Sequence, residues 1–232
     1  MCIEWNTNAQ AQKFVASYSG GKDSTLALYQ AMQMGQPVAL IVMLEEQGLK
    51  SRSHGMSLDI IHAQANAIGL PIFTASATWQ DYESHFIQLL QKAQALGAET
   101  LVTGDIDLMA HAEWNQSVCD KSQLSLCMPL WQRPRLDIVC EFIALGFQSI
   151  IVTINLNLGM KVEDLGQILT LEYIQQLVER GIDPCGEAGE FHTTVIAGPI
   201  FKDALSIVKG DILYQENYAF LPLELEQHQI EG

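Results

Sequence analysis

Lys13-Phe14-Val15-Ala16-Ser17-Tyr18-Ser19-Gly20-Gly21-Lys22-Asp23-Ser24 is the stretch on which the reading of this chain turns. Residues Lys13 to Tyr18 form a short, mainly apolar run that stops at a glycine pair, the signature of a buried strand. From Ser24 to Met34 the apolar residues Leu26, Ala27, Ala31 and Met34 recur at helical spacing. The prediction is strand, glycine turn, helix.

Working outward, the alternation repeats. Val38 to Leu44 reads as a buried strand, Ser57 to Ile68 as a helix, Ile72 to Ala75 as a strand, Tyr82 to Leu96 as a helix and Thr100 to Thr103 as a strand. Alternation of this kind predicts an α/β fold with a parallel sheet and helices on both faces. Beyond Pro129 the pattern loosens into a helix near Leu136 to Leu145, a strand Ser149 to Ile154, a helix Leu171 to Arg180 and a strand Thr193 to Ala197. Leu205 to Tyr218 reads as a hairpin of two short strands around Lys209-Gly210-Asp211. The change of character sets a boundary at 125–130, giving a parallel-sheet domain over 1–127 and a smaller α+β domain over 128–232. No internal repeat is seen.

Composition narrows the partners. Of 232 residues, 48% are hydrophobic and 17% charged, enough apolar content for a packed core. Twelve Lys and Arg against 27 Asp and Glu give a net charge of −15, a field that repels nucleic acid. A few backbone N–H groups and one lysine can still hold a phosphate. Cys2, Cys119, Cys127, Cys140 and Cys185 are odd in number and include no C-x-x-C pair, which argues against a disulfide framework, a zinc ribbon and a redox dithiol. With no apolar run of about 18 residues and no secretion signal at the start, the expectation is a soluble cytoplasmic protein with no membrane partner.

The glycine turn is the candidate phosphate site. It lies where open α/β sheets present ligands, at a strand's carboxyl end and a helix N-terminus. Gly20 and Gly21 let the main chain approach phosphate oxygens, Lys22 supplies positive charge, Ser24 a hydroxyl, and Asp23 supports the turn or helps hold Mg²⁺. A plain strand-to-helix turn capped by Asp23 or Ser24 would use the same residues. Neither G-x-x-x-x-G-K-[ST] nor G-x-G-x-x-G is present, so a P-loop NTPase and a dinucleotide dehydrogenase are not indicated.

Ser19 to Ser24 resembles the S-G-G-x-D-S signature of the PP-loop ATP pyrophosphatases. His54-Gly55, Gly104-Asp105-Ile106, Pro129-Leu130-Trp131, Asp183 to Thr193 and Gly198-Pro199-Ile200-Phe201 extend the likeness over roughly 13–202. In order and spacing these segments resemble the diphthine–ammonia ligase family. The resemblance implies an adenine nucleotide alpha hydrolase-like (HUP, Rossmann-like) domain, ATP bound through its β,γ-pyrophosphate, and a carboxylate adenylated and then amidated by ammonia. His111-Ala112-Glu113-Trp114 looks like the bacterial branch, whose usual form is His-Arg-Glu-Trp; Ala112 stands where that form has arginine. The reaction class therefore transfers better than the acceptor.

Glu187, Glu190 and His192 fall within six residues among glycines, which suits a turn pointing polar groups into a cleft. Two acids there would orient ammonia or a cationic substrate, and His192 would serve as a base on ammonium; a solvent-exposed acidic turn is the plain alternative. Gly104 and Asp105 follow a strand at the phosphate-loop edge, where they would meet ATP or its metal, and His54 is placed near the nucleotide by resemblance. His111, Glu113 and Trp114 open a helix. Trp131 reads as packing, with cation–π recognition of a quaternary ammonium as a second reading for Trp131 and Trp114. The chain has no room for a glutaminase domain, so ammonia is expected free or from a partner. The sequence leaves the oligomeric state open, a homodimer included. A PP-loop tRNA-modifying enzyme and a non-catalytic ATP sensor are the rival readings.

Overall fold

The computed structural model describes residues 12–51 and 55–226. The alternating half contains β1 (Lys13–Ser17), α1 (Lys22–Met32), β2 (Gln36–Leu44), α2 (Leu58–Ile68), β3 (Ile72–Ser76), α3 (Tyr82–Gln94) and β4 (Thr100–Val102), as the spacing predicts. It continues with α4 (Met109–Ser122) and β5 (Ser125–Cys127). β5 is three residues long, too short for a period to show, and the sequence reading does not include it.

These strands form a parallel sheet of five, ordered β3-β2-β1-β4-β5. Alternate residues enter opposite cores: Phe14, Ala16, Leu40 and Val42 pack with Leu26, Leu28, Ile60 and Ile61 from α1 and α2. Val15, Ala39, Ile41 and Leu101 pack with Phe86, Leu89, Leu90 and Val118 from α3 and α4. Burial on both faces is why the strands read as unbroken apolar runs rather than alternating ones. From β1 the chain winds one way to β2 and β3, and from β4 the other way to β5, so the order reverses between β1 and β4. The loops leaving those two strands flank a crevice at the sheet's carboxyl edge, where such folds take ligands.

The remainder contributes α5 (Arg135–Ala144), β6 (Gln148–Asn155), α6 (Leu171–Glu179), β7 (Phe191–Ala197), β8 (Ile207–Lys209), β9 (Leu213–Gln215), β10 (Tyr218–Phe220) and β11 (Leu223–Leu225). An antiparallel sheet runs β7-β6-β10-β9, and β8 pairs with β11 alone. The hairpin expected around Lys209-Gly210-Asp211 is therefore corrected. β8 and β9 belong to different sheets, and the tight turn sits between β9 and β10, where Glu216 takes φ of +52°. The α1–α2 core continues without a break into Phe142, Ile150, Ile154, Leu177 and Val195, so the two sheets share one apolar cluster. No described helix is long and apolar enough to cross a membrane.

Just after β4, Gly104 lies against the first turn of α1. A Cβ there would stand 2.7 Å from Ser24 N and 2.8 Å from Ser24 Cα, main-chain atoms that cannot rotate away. Gly104→Ala is expected to destabilise the protein by about 1–3 kcal/mol, read as a lower urea midpoint at unchanged slope. An unchanged midpoint would show that β4 and α1 can part without cost.

Candidate active site

The glycine turn is built by its own side chains. Gly20 has φ of +79°, and a Cβ on it would meet Gln64 Oε1 at 2.5 Å and Met56 at 2.8 Å, so backbone angle and space both demand glycine. Gly21 is the N-cap of α1, without a side-chain cap. Ser24 Oγ accepts from Ser19 N at 3.2 Å, lies 3.0 Å from Ser19 Oγ and donates to Gly21 O at 3.2 Å. Ser19 and Ser24 thus brace the turn from inside, and the cap reading of Asp23 or Ser24 does not apply.

The second sheet holds this turn from outside. Val195 N donates to Gly20 O at 2.9 Å, and Lys22 N donates to Thr193 Oγ1 at 3.2 Å. Gln64 Nε2 donates to Gly20 O at 3.0 Å and to Val195 O at 2.7 Å, joining turn and strand. Gln64 is fully buried, and the sequence reading missed it. Its available signal was a polar residue on the face of α2 that carries Ile60, Ile61 and Ala65.

Lys22 is 3% exposed. Its Nζ donates to Asp23 Oδ2 at 2.7 Å and to the Cys185 carbonyl, and lies 5.8 Å from the Phe191 ring centre. Burial favours the neutral amine, but Asp23 and Glu187 outweigh it and raise the pKa above the ordinary lysine value, so Lys22 is charged. Across the crevice, Asp105 accepts from Asn115 Nδ2 at 2.8 Å and pairs with His111 Nδ1 at 3.0 Å. Burial alone would raise the Asp105 pKa; its hydrogen bonds, with the His111 contact foremost, bring it below the usual value. Asp105 raises that of His111 in return.

A cavity of about 300 Å³ gathers these groups. Ser19, Lys22, Asp23, Ser24, Gly104, Asp105, Glu187 and His192 line it, with His111, Cys185 and Thr193 beside them. Gly20 and Gly21 shape the turn without lining the cavity. Glu190 does not line it either: its side chain is buried, Oε2 has no hydrogen-bond partner, and its carbonyl accepts from Asn155 N at 2.8 Å. His54 lies outside the described residues. Burial, reinforced by Asp23, pushes Glu187 up to about 7, while burial and the Lys22 cation hold His192 down at about 4. Trp114 packs against Phe86 at 4.9 Å and Tyr82 at 5.6 Å, and Trp131 joins the same cluster, so both tryptophans are partly buried against this core. Ala112 is buried there too, pointing away from the cavity. A larger cavity of about 580 Å³ lies past Thr194 on the other side of β7; of the candidate residues, it contains none.

Residues 12–126 match the N-terminal domain of diphthamide synthase, and residues 134–228 match its C-terminal domain. The chain belongs to the diphthamide synthase family. Within that family it is 24% identical to the diphthine–ammonia ligase of Danio rerio over 240 residues, spanning 91% of this chain and 92% of that one. The Homo sapiens diphthine–ammonia ligase is 25% identical, over 91% and 88% of the two chains. With the Schizosaccharomyces pombe diphthine–ammonia ligase, identity is 22% over 87% of this chain but only 37% of the longer relative. The crystal structure of a predicted tRNA methyltransferase subunit from Methanocaldococcus jannaschii overlaps 84% of this chain and 100% of its own, at 16% identity and a TM-score of 0.40. That overlap is too loose to bear on fold or function.

Replacing Gln64 by leucine keeps volume but leaves the buried Val195 carbonyl without its side-chain donor. A loss of about 1–3 kcal/mol is expected, together with weaker ATP binding as the turn loosens. Calorimetric titration with ATP checks this; wild-type affinity in Gln64→Leu would mean the turn keeps its shape unaided.

Proposed function

We propose that this chain joins ammonia to a carboxylate at the expense of ATP, through an acyl-adenylate. The observation that carries the reading is the meeting, in one cavity at the β1/β4 switch point, of a glycine turn bearing a charged buried lysine and of Glu187, whose pKa is near neutrality. Ser19 to Ser24 and the N-terminus of α1 hold the β,γ-pyrophosphate, with Lys22 against its charge. A carboxylate oxygen of the acceptor attacks the α-phosphorus and pyrophosphate leaves. Ammonia then attacks the acyl carbon, AMP leaves with the adenylate oxygen, and Glu187 takes the proton that ammonium gives up. Positioning and charge neutralisation supply most of the rate.

His192, held neutral, is suited to a hydrogen bond in this scheme rather than to carrying a proton. Glu190, buried and outside the cavity lining, takes no part in this scheme. The nucleotide is assigned to 1–127 and the acceptor to 128–232. Mg²⁺ fits one oxygen: Asp23 Oδ1 is buried without a hydrogen-bond partner, whereas both Asp105 oxygens are engaged by His111 and Asn115. No group of three or more metal-ligating side chains occurs among the described residues, which suits an ion held chiefly by phosphates and water. Bound there, Mg²⁺ would offset the charge of the leaving pyrophosphate. The relatives' names give diphthine as their acceptor; no tryptophan among the described residues lines this cavity to take its quaternary ammonium. Net charge of −15 disfavours the tRNA-modifying reading.

The two half-reactions separate the roles. Lys22→Ala is expected to cut both ATP–pyrophosphate exchange and amide formation by about a hundredfold or more. Glu187→Gln should keep the exchange and lose about a hundredfold in ammonium-dependent amide formation, assayed with ¹⁵N-ammonium and a pool of carboxylates. Equal loss of both steps in Glu187→Gln would sink the proton role.

Stability should carry the same signature. The folded pKa of Glu187 lies above its unfolded value, so its contribution is complete below the unfolded pKa of 4.5 and disappears as pH rises through about 7. Glu187→Gln should therefore be more stable than wild type above pH 7, by about 1–3 kcal/mol, in urea melts at pH 5 and pH 8. A difference independent of pH would show that Glu187 titrates normally.

A further inference from the structure

Arg135 opens α5, does not line the cavity and has no role in the sequence reading, yet its guanidinium stands between the two loops that wall the site. Nε donates to Asp107 Oδ2 and Nη2 to Asp107 Oδ1, both at 2.8 Å, a bidentate fork on the loop leaving β4. Nη1 donates to Asp183 Oδ2, on the loop that leads to Glu187. Asp183 Oδ1 accepts from Cys185 N at 2.9 Å, and Cys185 Sγ donates to the Arg135 carbonyl at 3.1 Å. The Cys185 carbonyl in turn receives Lys22 Nζ. One side chain thus joins the loop leaving β4, the start of α5 and the segment that delivers Glu187.

We infer that Arg135 is a positioning residue for Glu187, locking the 183–187 loop to the loop leaving β4 and keeping a cation near the Glu187 carboxylate. The inference rests on Glu187 as acceptor of the ammonium proton. The titratable groups around Glu187 are Lys22 and Asp23 from α1, Asp105 and Asp107 from the loop leaving β4, His111 from α4, Arg135 from α5, Cys185 on its own loop, and His192 on β7. Asp23 and Asp107 push its proton affinity up, and Lys22 and Arg135 pull it down. Without the guanidinium, Asp107 loses its fork and Glu187 loses one of these two cations, so both changes favour protonated Glu187. Lysine at this place keeps the charge but cannot form the fork.

The test is carboxyl NMR of protein labelled with ¹³C-glutamate, the Glu187 resonance being assigned by its loss in Glu187→Gln, with amide hydrogen exchange across 183–187. In Arg135→Ala the Glu187 midpoint should rise by about half a pH unit or more, roughly a threefold gain in proton affinity, and the Cys185 amide should exchange faster. Arg135→Lys should return the midpoint toward wild type while exchange stays fast. Should Arg135→Ala fail to fold, Arg135→Lys and Arg135→Gln supply the same comparison. Unchanged midpoint and exchange in a folded variant would overturn the inference. A wild-type Glu187 midpoint in the ordinary carboxylate range would instead refute the proton role of Glu187, with the exchange data still judging the clamp.

Discussion

A lysine ammonium buried at a helix N-terminus is the constraint around which this molecule is arranged. Lys22 is the first residue of α1, where unpaired N–H groups already make the local potential positive and a cation is disfavoured. Removing it from water adds a further cost. The surroundings answer with anionic and dipolar partners: Asp23, the Cys185 carbonyl and Glu187. Their charge keeps Lys22 protonated, and burial of Glu187 in the same cleft, reinforced by Asp23, moves its carboxyl toward neutrality. Burial and mutual charge in one cleft therefore set two properties of the site, a fixed cation and a carboxyl with its pKa near 7.

The second requirement is mechanical. A glycine turn is conformationally free, and freedom at a phosphate site costs affinity. Here the turn is fixed by groups from outside the parallel sheet: Val195 and Thr193 of β7, with Gln64 of α2 bonded to both turn and strand. Because β7 begins where the Gly186–Glu190 turn ends, the strand that steadies the glycine turn also delivers Glu187 and His192 to the cavity. The shared apolar cluster under both sheets packs beneath this junction.

Much of this was legible in the sequence, for physical reasons. A fully buried parallel strand declares itself as an apolar run, so β1 to β4 and their helices were readable from spacing, as was the glycine turn between β1 and α1. The failures follow equally from physics. β5, β10 and β11 are three-residue strands that the sequence reading leaves out, and which strands pair is decided by contacts distant in sequence: β8 and β9, read as partners, separate, with Val208 facing Glu224 in one sheet and Tyr214 facing Ala219 in another. Gln64, Asn115 and Arg135 act through hydrogen bonds to residues 10 to 131 positions away, a relation that periodicity does not encode. Trp131 packs against the α3–α4 core, in keeping with its packing reading, and Trp114 packs beside it.

What the proposed reaction commits to is attack at the α-phosphorus, because in that proposal the turn, Lys22 and the helix N-terminus hold the terminal phosphates as the leaving group. The most direct measurement is the identity of the nucleotide product when the protein turns over Mg-ATP with ammonium and a pool of carboxylates. The account predicts AMP and pyrophosphate, in amounts matching the amide formed. ADP and inorganic phosphate would contradict it, placing the break between the β- and γ-phosphates.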